Sequence, residues 1–205
     1  VGKHKVVDDY PFGGGGGMVL KPEPIFDGVE AVRAQVGKLG PVILMDPQGE
    51  QLKQRLVDEM AQEPHLLLIC GHYEGVDERV RQNLVTHEIS IGDYILTGGE
   101  IPALLLVDAI VRRLPGVLGS GMAGEGDSFS RSMLQHPQYT RPQDFRGWTV
   151  PSTLLSGDHQ EVALWRRRQS LERTMQRRPD LLSTADLTAA DFEWIEQVCP
   201  SQDQG

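Results

Sequence analysis

Between Arg166 and Arg178 the chain carries six arginines and one acid, Glu172, although the protein's formal net charge is -9. Arginine's planar fork of donors matches a phosphate group bidentately, so this local excess favours contact with a nucleic-acid backbone. Arg166, Arg173 and Arg177 recur at i, i+7 and i+11, and Leu164, Leu171 and Met175 share that spacing about 200° away round a helix. One side of that helix is expected to pack and the other to be cationic. A merely solvated face would share the spacing; the acidity of the rest of the chain is what favours phosphate. Carboxylates gather in GHYEGVDER, where Glu74, Asp77 and Glu78 suit either a metal or the first turn of a helix. Asp127, between Gly126 and Ser128, could accept a proton or simply be solvated. Arg112 ends an apolar helix, where a cation suits the helix dipole or pairs with Asp108 at i-4. No spacing rule joins Arg112 to Asp127.

Three glycine patterns bear on nucleotide binding. Gly119-Ser-Gly121-Met-Ala-Gly124 is a literal GxGxxG, but Pro115 and a helix precede it where a dinucleotide fingerprint needs a strand. Gly13 to Gly17 lacks the Gly-Lys-Ser/Thr of a phosphate loop and reads as a mobile loop. EISIGDYILTGGEIP, 88–102, is a strand-to-helix connection with three glycines, open to a structural or a functional reading.

The elements that must position these residues alternate. VILM (42–45), HLLLIC (65–70) and THEISIG (86–92) read as buried strands, and 50–62, 77–84 and 101–114 read as helices, with a turn over Asp46–Gly49. That alternation predicts an α/β fold with a mainly parallel sheet. A Gly/Ser-rich linker over 117–132 separates a first domain, 1–116, from a small helical second domain, 133–205. The latter holds a long helix over 158–178, capped by Ser156 or Asp158, and a last helix opened by the capping box Thr188–Asp191. The 205 residues suffice for these two domains, and no apolar run reaches membrane-spanning length. Cys70 and Cys199 form no CxxC, so neither a disulfide framework nor a zinc site is expected, and a reducing cytoplasm is the simplest home.

GHYEGVDERV, SIGDYILTGGEIPALLLVDAIVRRLPGVLG, GDSF, HPQYTRP and VPSTLLSGDHQEVALWRRRQSLERTMQRRPDLL, in that order, strongly resemble the bacterial tRNA (guanine-N1)-methyltransferases of the TrmD type. The resemblance implies a SPOUT-class fold: an α/β domain with a deep trefoil knot that binds S-adenosylmethionine, plus a small α-helical C-terminal domain that holds tRNA. It implies a homodimer with shared active sites, methylating N1 of the guanosine immediately 3′ of the anticodon, position 37. Asp127 matches the general base, supplied by the partner subunit, and Arg112 matches the residue that stabilises O6. Gly71, Ile91, Gly92, Asp93, Tyr94, Ile95 and Leu96 match the cofactor loops, with Gly98 and Gly99 close by. Tyr73 and Glu74 line the same pocket, and Pro47 belongs to the neighbouring loop. Asp8, His159, Arg166, Arg167, Arg173 and Arg177 are the positions carried over for tRNA contact. Magnesium is the remaining implied cofactor, and the sequence offers no clean ligand set for it. The family begins with a strand and helix that the resemblance places before Val1, so a truncated chain of doubtful activity is also an expectation. A non-catalytic RNA-binding module, and a SPOUT methyltransferase acting on another RNA, are the alternatives.

Overall fold

A computed structural model describes residues 6–118 and 126–198, which fall into two compact units, Val1–Ala123 and Gly124–Gly205. The GxGxxG at 119–124 and Cys199 lie outside the described residues. The first unit runs β1 (Asp8–Asp9), β2 (Val19–Leu20), α1 (Pro22–Val36), β3 (Val42–Gln51), α2 (Gln54–Met60), β4 (Leu67–Cys70), α3 (Glu78–Asn83), β5 (His87–Ser90) and α4 (Glu100–Val111). β3 is the centre of a parallel sheet ordered β4-β3-β5. The near-continuous apolar runs come from this burial on both faces. Side chains alternate across β3. Ile43 and Met45 pack with Leu56 and Met60 of α2 and Leu106 and Ile110 of α4. Val42 and Leu44 share a second cluster with Val29 of α1 and Val80 of α3.

Two features depart from the sequence reading. The turn expected over Asp46–Gly49 is an excursion inside β3: the register shifts so that Ile89 lies opposite both Met45 and Glu50. Asp46 Oδ1 accepts from the Gln48 amide at 2.9 Å, which curls the excursion, and α2 therefore starts at Gln54 rather than near residue 50. Helix α1 was not anticipated. Its prolines sit in the first turn, where no amide partner is lost. Only Val29 of α1 is fully buried, which leaves a thin apolar signal.

The second unit contains β6 (Asp144–Phe145), β7 (Trp148–Thr149), a 3₁₀ turn (Ser152–Leu155), α5 (His159–Arg177), a second 3₁₀ turn (Pro179–Thr184) and α6 (Ala189–Val198). Asp158 is the N-cap of α5, accepting from the amides of Gln160 and Glu161. The packed stripe of α5 is Ser170, Leu171 and Thr174. Leu164, expected on that stripe, is half exposed. The helix can bury Ser170 and Thr174 because their polar atoms are satisfied: Thr174 Oγ1 donates to the Ser170 carbonyl at 2.7 Å and accepts from the Leu134 amide at 2.9 Å.

Arg167 crosses from α5 to the start of α6, donating to both carboxylate oxygens of Asp191 (3.1 and 2.7 Å) and to the Asp186 carbonyl (2.7 Å). Asp191 also closes the capping box, accepting from the Thr188 amide and hydroxyl at 2.8 Å each. The guanidinium, against the cost of burial and with Thr188 assisting, holds the Asp191 carboxyl at a pKa of about 2. A depressed acid stabilises the fold above its unfolded pKa and loses that contribution as pH falls through the folded value. The pair's contribution, about 2 kcal/mol, is thus complete above roughly pH 5 and gone near pH 2. All three tryptophans, Trp148, Trp165 and Trp194, lie in this unit, so intrinsic tryptophan fluorescence follows its unfolding alone. The urea midpoint should hold from pH 7 to about 5 and fall below that. Arg167→Met should lower the midpoint at pH 7 and flatten the acid limb; an unchanged acid limb would remove this pair as its cause.

Candidate functional site

The connections leaving the C-terminal ends of β3, β4 and β5 converge, the edge where open α/β sheets bind ligands. From β4 the chain enters Gly71–Gly75, and from β5 it enters Ile91–Gly99. These loops are tied directly: His72 and Gly98 form an antiparallel bridge, and the Gly99 amide donates to the Gly71 carbonyl at 2.8 Å. Gly99 needs to be glycine for space, since a Cβ there would lie 2.7 Å from Cys70 Cα and 2.9 Å from the Gly71 nitrogen. Gly92 instead needs its backbone freedom, with φ at +146° and the Tyr94 ring folded over it. Buried Ser90 holds that bend, its hydroxyl donating to the Gly92 carbonyl and accepting from the Gly92 amide at 3.2 Å each. The Tyr94 hydroxyl donates back to the Ile91 carbonyl at 3.2 Å.

The loop rests on buried Gly92 and Gly99, while Asp93, Tyr94, Ile95 and Leu96 stand exposed, Ile95 at 77%. The amides of Ile95 and Leu96 carry no hydrogen bond among the described residues. An apolar strip with unspent main-chain donors and acceptors fits a flat heteroaromatic ligand such as adenine. Pro47 lies at the exposed crest of the β3 excursion beside this edge; Gly49 brings the excursion against the Glu88–Ile89 backbone, where no Cβ has room.

Glu74 joins a further segment. Its amide donates to the Met18 carbonyl at 3.0 Å, and its side chain lies over Gly17, which has no room for a Cβ. Leu20 continues the contact, bridging Val76, and pairs with Asp8 across β1-β2. Asp8 therefore stands at the rim reached through Glu74. Tyr73 is exposed, has φ at 58°, and meets His72 edge to face at 4.7 Å.

Arg81 of α3 is a positioning residue that the sequence reading missed. Its guanidinium binds Asp46 at 3.0 Å, Glu78 at 3.1 Å and Glu88, fastening the β3 excursion to β5. Burial opposes its charge, but the bonds to Asp46 and Glu88 prevail and its pKa is raised. Nothing local in DERV signals a contact to residue 46. The suspected acid cluster is likewise structural in two of three positions. Asp77 caps α3 and pairs with Arg79, whose side-chain hydrogen bond lowers the Asp77 pKa, and Glu78 serves Arg81. Burial, aided by the Glu100 carboxylate, pushes the Cys70 thiol up, away from nucleophilic use. Among the described residues no three His, Cys, Asp or Glu side chains could hold a metal ion.

Arg112 is the exposed C-cap of α4, its amide donating to the Asp108 carbonyl at 3.2 Å. Its neighbour Arg113 binds Asp58 of α2 at 2.6 Å. Asp127 belongs to the second unit and is half-buried in a tight turn. The Asp127 carbonyl accepts from Ser130 Oγ at 2.7 Å, Ser128 Oγ accepts from the Gln135 amide at 3.0 Å, and the Phe129 amide donates to Met133 at 2.7 Å. The part of the expected linker over 126–132 is thus folded onto the second unit.

The arginines of α5 divide in use. Arg167 is committed to Asp191, Arg173 reaches the Gln135 carbonyl at 3.4 Å, and Arg178 binds Asp180 at 2.7 Å. Arg166 and Arg177 are exposed and make no ion pair among the described residues, and His159 is exposed at the first turn.

Residues 1–184 match the family model for tRNA (Guanine-1)-methyltransferase TrmD. The chain is 60% identical over 196 residues to a tRNA (guanine-N(1)-)-methyltransferase of Geobacillus kaustophilus, covering 95% of this chain and 80% of the relative. It is 57% identical over 195 residues to one of Anoxybacillus flavithermus, with 95% and 80% covered. It is 54% identical over 202 residues to one of Halalkalibacterium halodurans, with 98% and 82% covered.

Proposed function

The chain belongs to the tRNA (guanine-1)-methyltransferase TrmD family, and from that premise we propose that it transfers a methyl group to N1 of the guanosine immediately 3′ of the anticodon in tRNA, position 37. The observation that carries the reading is the loop pair Gly71–Gly75 and Ile91–Gly99. It is locked at Gly99 and leaves the Ile95 and Leu96 main chain open for a ligand. When bound, S-adenosylmethionine supplies a methyl carbon on a sulfonium sulfur. Tyr94, Ile95 and Leu96 would hold its adenine, and Glu74 would line the same pocket. The connection through these loops is the deep trefoil knot of the SPOUT class, and the second unit is the tRNA-holding domain.

Neutral guanine N1 bears a proton and is a poor nucleophile. Asp127 accepts that proton as N1 bonds to the methyl carbon, and the carbon–sulfur pair departs with sulfur. Arg112 donates to O6, where charge gathers as N1 is deprotonated. The two residues come from different units, and the resemblance pairs Asp127 of one protomer with Arg112 of the other. α4 supports a homodimer: Ile101, Leu104, Leu105, Val107 and Val111 are all exposed, Leu104 at 68%. A contiguous apolar face of this kind marks an interface. The cytoplasm is where the tRNA substrate is met; no described helix is long and apolar enough to cross a membrane. For magnesium the described residues offer no three-ligand site.

The test is single-turnover transfer of labelled methyl to a tRNA transcript, with nucleoside analysis and light scattering on the same preparation. 1-Methylguanosine from a dimer is expected. Product at another position or another RNA would favour a different SPOUT activity. Tight tRNA binding with neither S-adenosylhomocysteine binding nor transfer would make the chain a binding module.

A further inference from the structure

The second unit contains a cleft of about 440 Å³ between the segment 136–143, the 3₁₀ turn at Ser152–Leu155 and the middle of α5. Its volume is in the range of small-ligand sites. The chemistry of its wall is one-sided. His136, Tyr139 and Trp165 supply three aromatic rings, Arg141 and Arg166 supply two cations, and no carboxylate lines it in a protein of net charge -9. The Trp165 ring is 6.3 Å from each of the other two, tilted at 63° to His136 and 57° to Tyr139. The rings are therefore not stacked face to face on one another. Arg141 and Arg166 are exposed and make no ion pair among the described residues, unlike Arg167 and Arg178 on the same helix or its cap. Aromatic faces beside uncommitted guanidinium groups suit a planar π system attached to an anion.

We propose that this cleft takes one unpaired nucleobase of the RNA, stacked on Tyr139 or Trp165, with Arg141 and Arg166 on the flanking phosphates. The proposal rests on the RNA substrate assigned above and adds a base-sized subsite to it. Stacking does not discriminate strongly among bases, so the subsite selects an unpaired, extruded nucleotide rather than a sequence.

The test is filter binding of a tRNA transcript to the full chain, with S-adenosylhomocysteine saturating. Tyr139 is half exposed, so Tyr139→Leu leaves the fold intact; it should weaken RNA binding about tenfold. Arg141→Gln should weaken it and lower the salt dependence. Transcripts with single abasic sites across the anticodon arm supply the second arm. One abasic position should cost the parent about as much as Tyr139→Leu does, and should cost that variant almost nothing more. RNA affinity unaltered by Tyr139→Leu, or abasic losses that add to it at every position, would overturn the subsite. Methyl transfer is scored separately. Absent transfer with the Tyr139 coupling intact removes the enzyme reading and keeps the cleft, and the reverse pattern removes the cleft alone.

Discussion

Asp127→Asn is expected to lower single-turnover methyl transfer by about 10²- to 10⁴-fold, the range for loss of a general base. The substitution is close to isosteric and spares the turn. The bonds through the Asp127 carbonyl, the Ser128 hydroxyl and the Phe129 amide that hold residues 126–135 are all kept by the asparagine variant. S-adenosylhomocysteine binding should be unchanged, because the loops assigned to it are in the other unit. Calorimetry beside the transfer assay separates the outcomes. A fall in both would give Asp127 a structural part, and full transfer by Asp127→Asn would place the base elsewhere. Arg112→Lys provides the companion measurement. Lysine keeps the charge but not the planar fork, so a loss of rate without loss of cofactor affinity would show that donor geometry at O6 matters.

How much of this was legible in the sequence depends on the range of the forces involved. The α/β alternation was, because periodicity and apolar runs record burial on one or both faces. The Thr188–Asp191 box was, and Asp158 was one of the two cap candidates, because caps act within a few residues. The excursion in β3 was not. Its cause is a backbone approach between Gly49 and Glu88–Ile89 and an ion cluster from Arg81 to Asp46 and Glu88, residues distant in the chain. Counting arginines on α5 overstated its free charge for the same reason. Arg167 and Arg166 are adjacent in sequence, but only the fold shows that one is spent on Asp191 and the other borders a cleft. The assignment of Ile91–Leu96 to the cofactor rests on the resemblance and not on local physics, since a strand-to-helix turn with glycines has many uses.

Glycine-to-alanine changes along the edge proposed for the cofactor should give a graded result that separates packing from ligand contact. Gly99→Ala is the severe member. Its added Cβ would meet Cys70 Cα at 2.7 Å, the Gly71 nitrogen at 2.9 Å and the Cys70 carbonyl carbon at 3.1 Å, all main chain of a core strand and its exit. Such atoms cannot rotate away, so the bond from the Gly99 amide to the Gly71 carbonyl must open and the two loops part. A stability loss of about 1–3 kcal/mol is expected, with S-adenosylhomocysteine affinity reduced on the order of a hundredfold. Gly98→Ala should be milder, because its Cβ would meet side chains, those of Glu100 and His72, which can swing aside. Gly71→Ala is the informative one. Its Cβ would find only Val76 Cγ1 at 3.9 Å, an ordinary contact, so the fold should melt as the parent does. If a ligand lies against the backbone there, that same methyl occupies the ligand's space and affinity falls with stability unchanged. Equal affinity for Gly71→Ala and parent would leave Gly71 a spacer between β4 and the loop and shift the cofactor contact onto Ile95 and Leu96 alone.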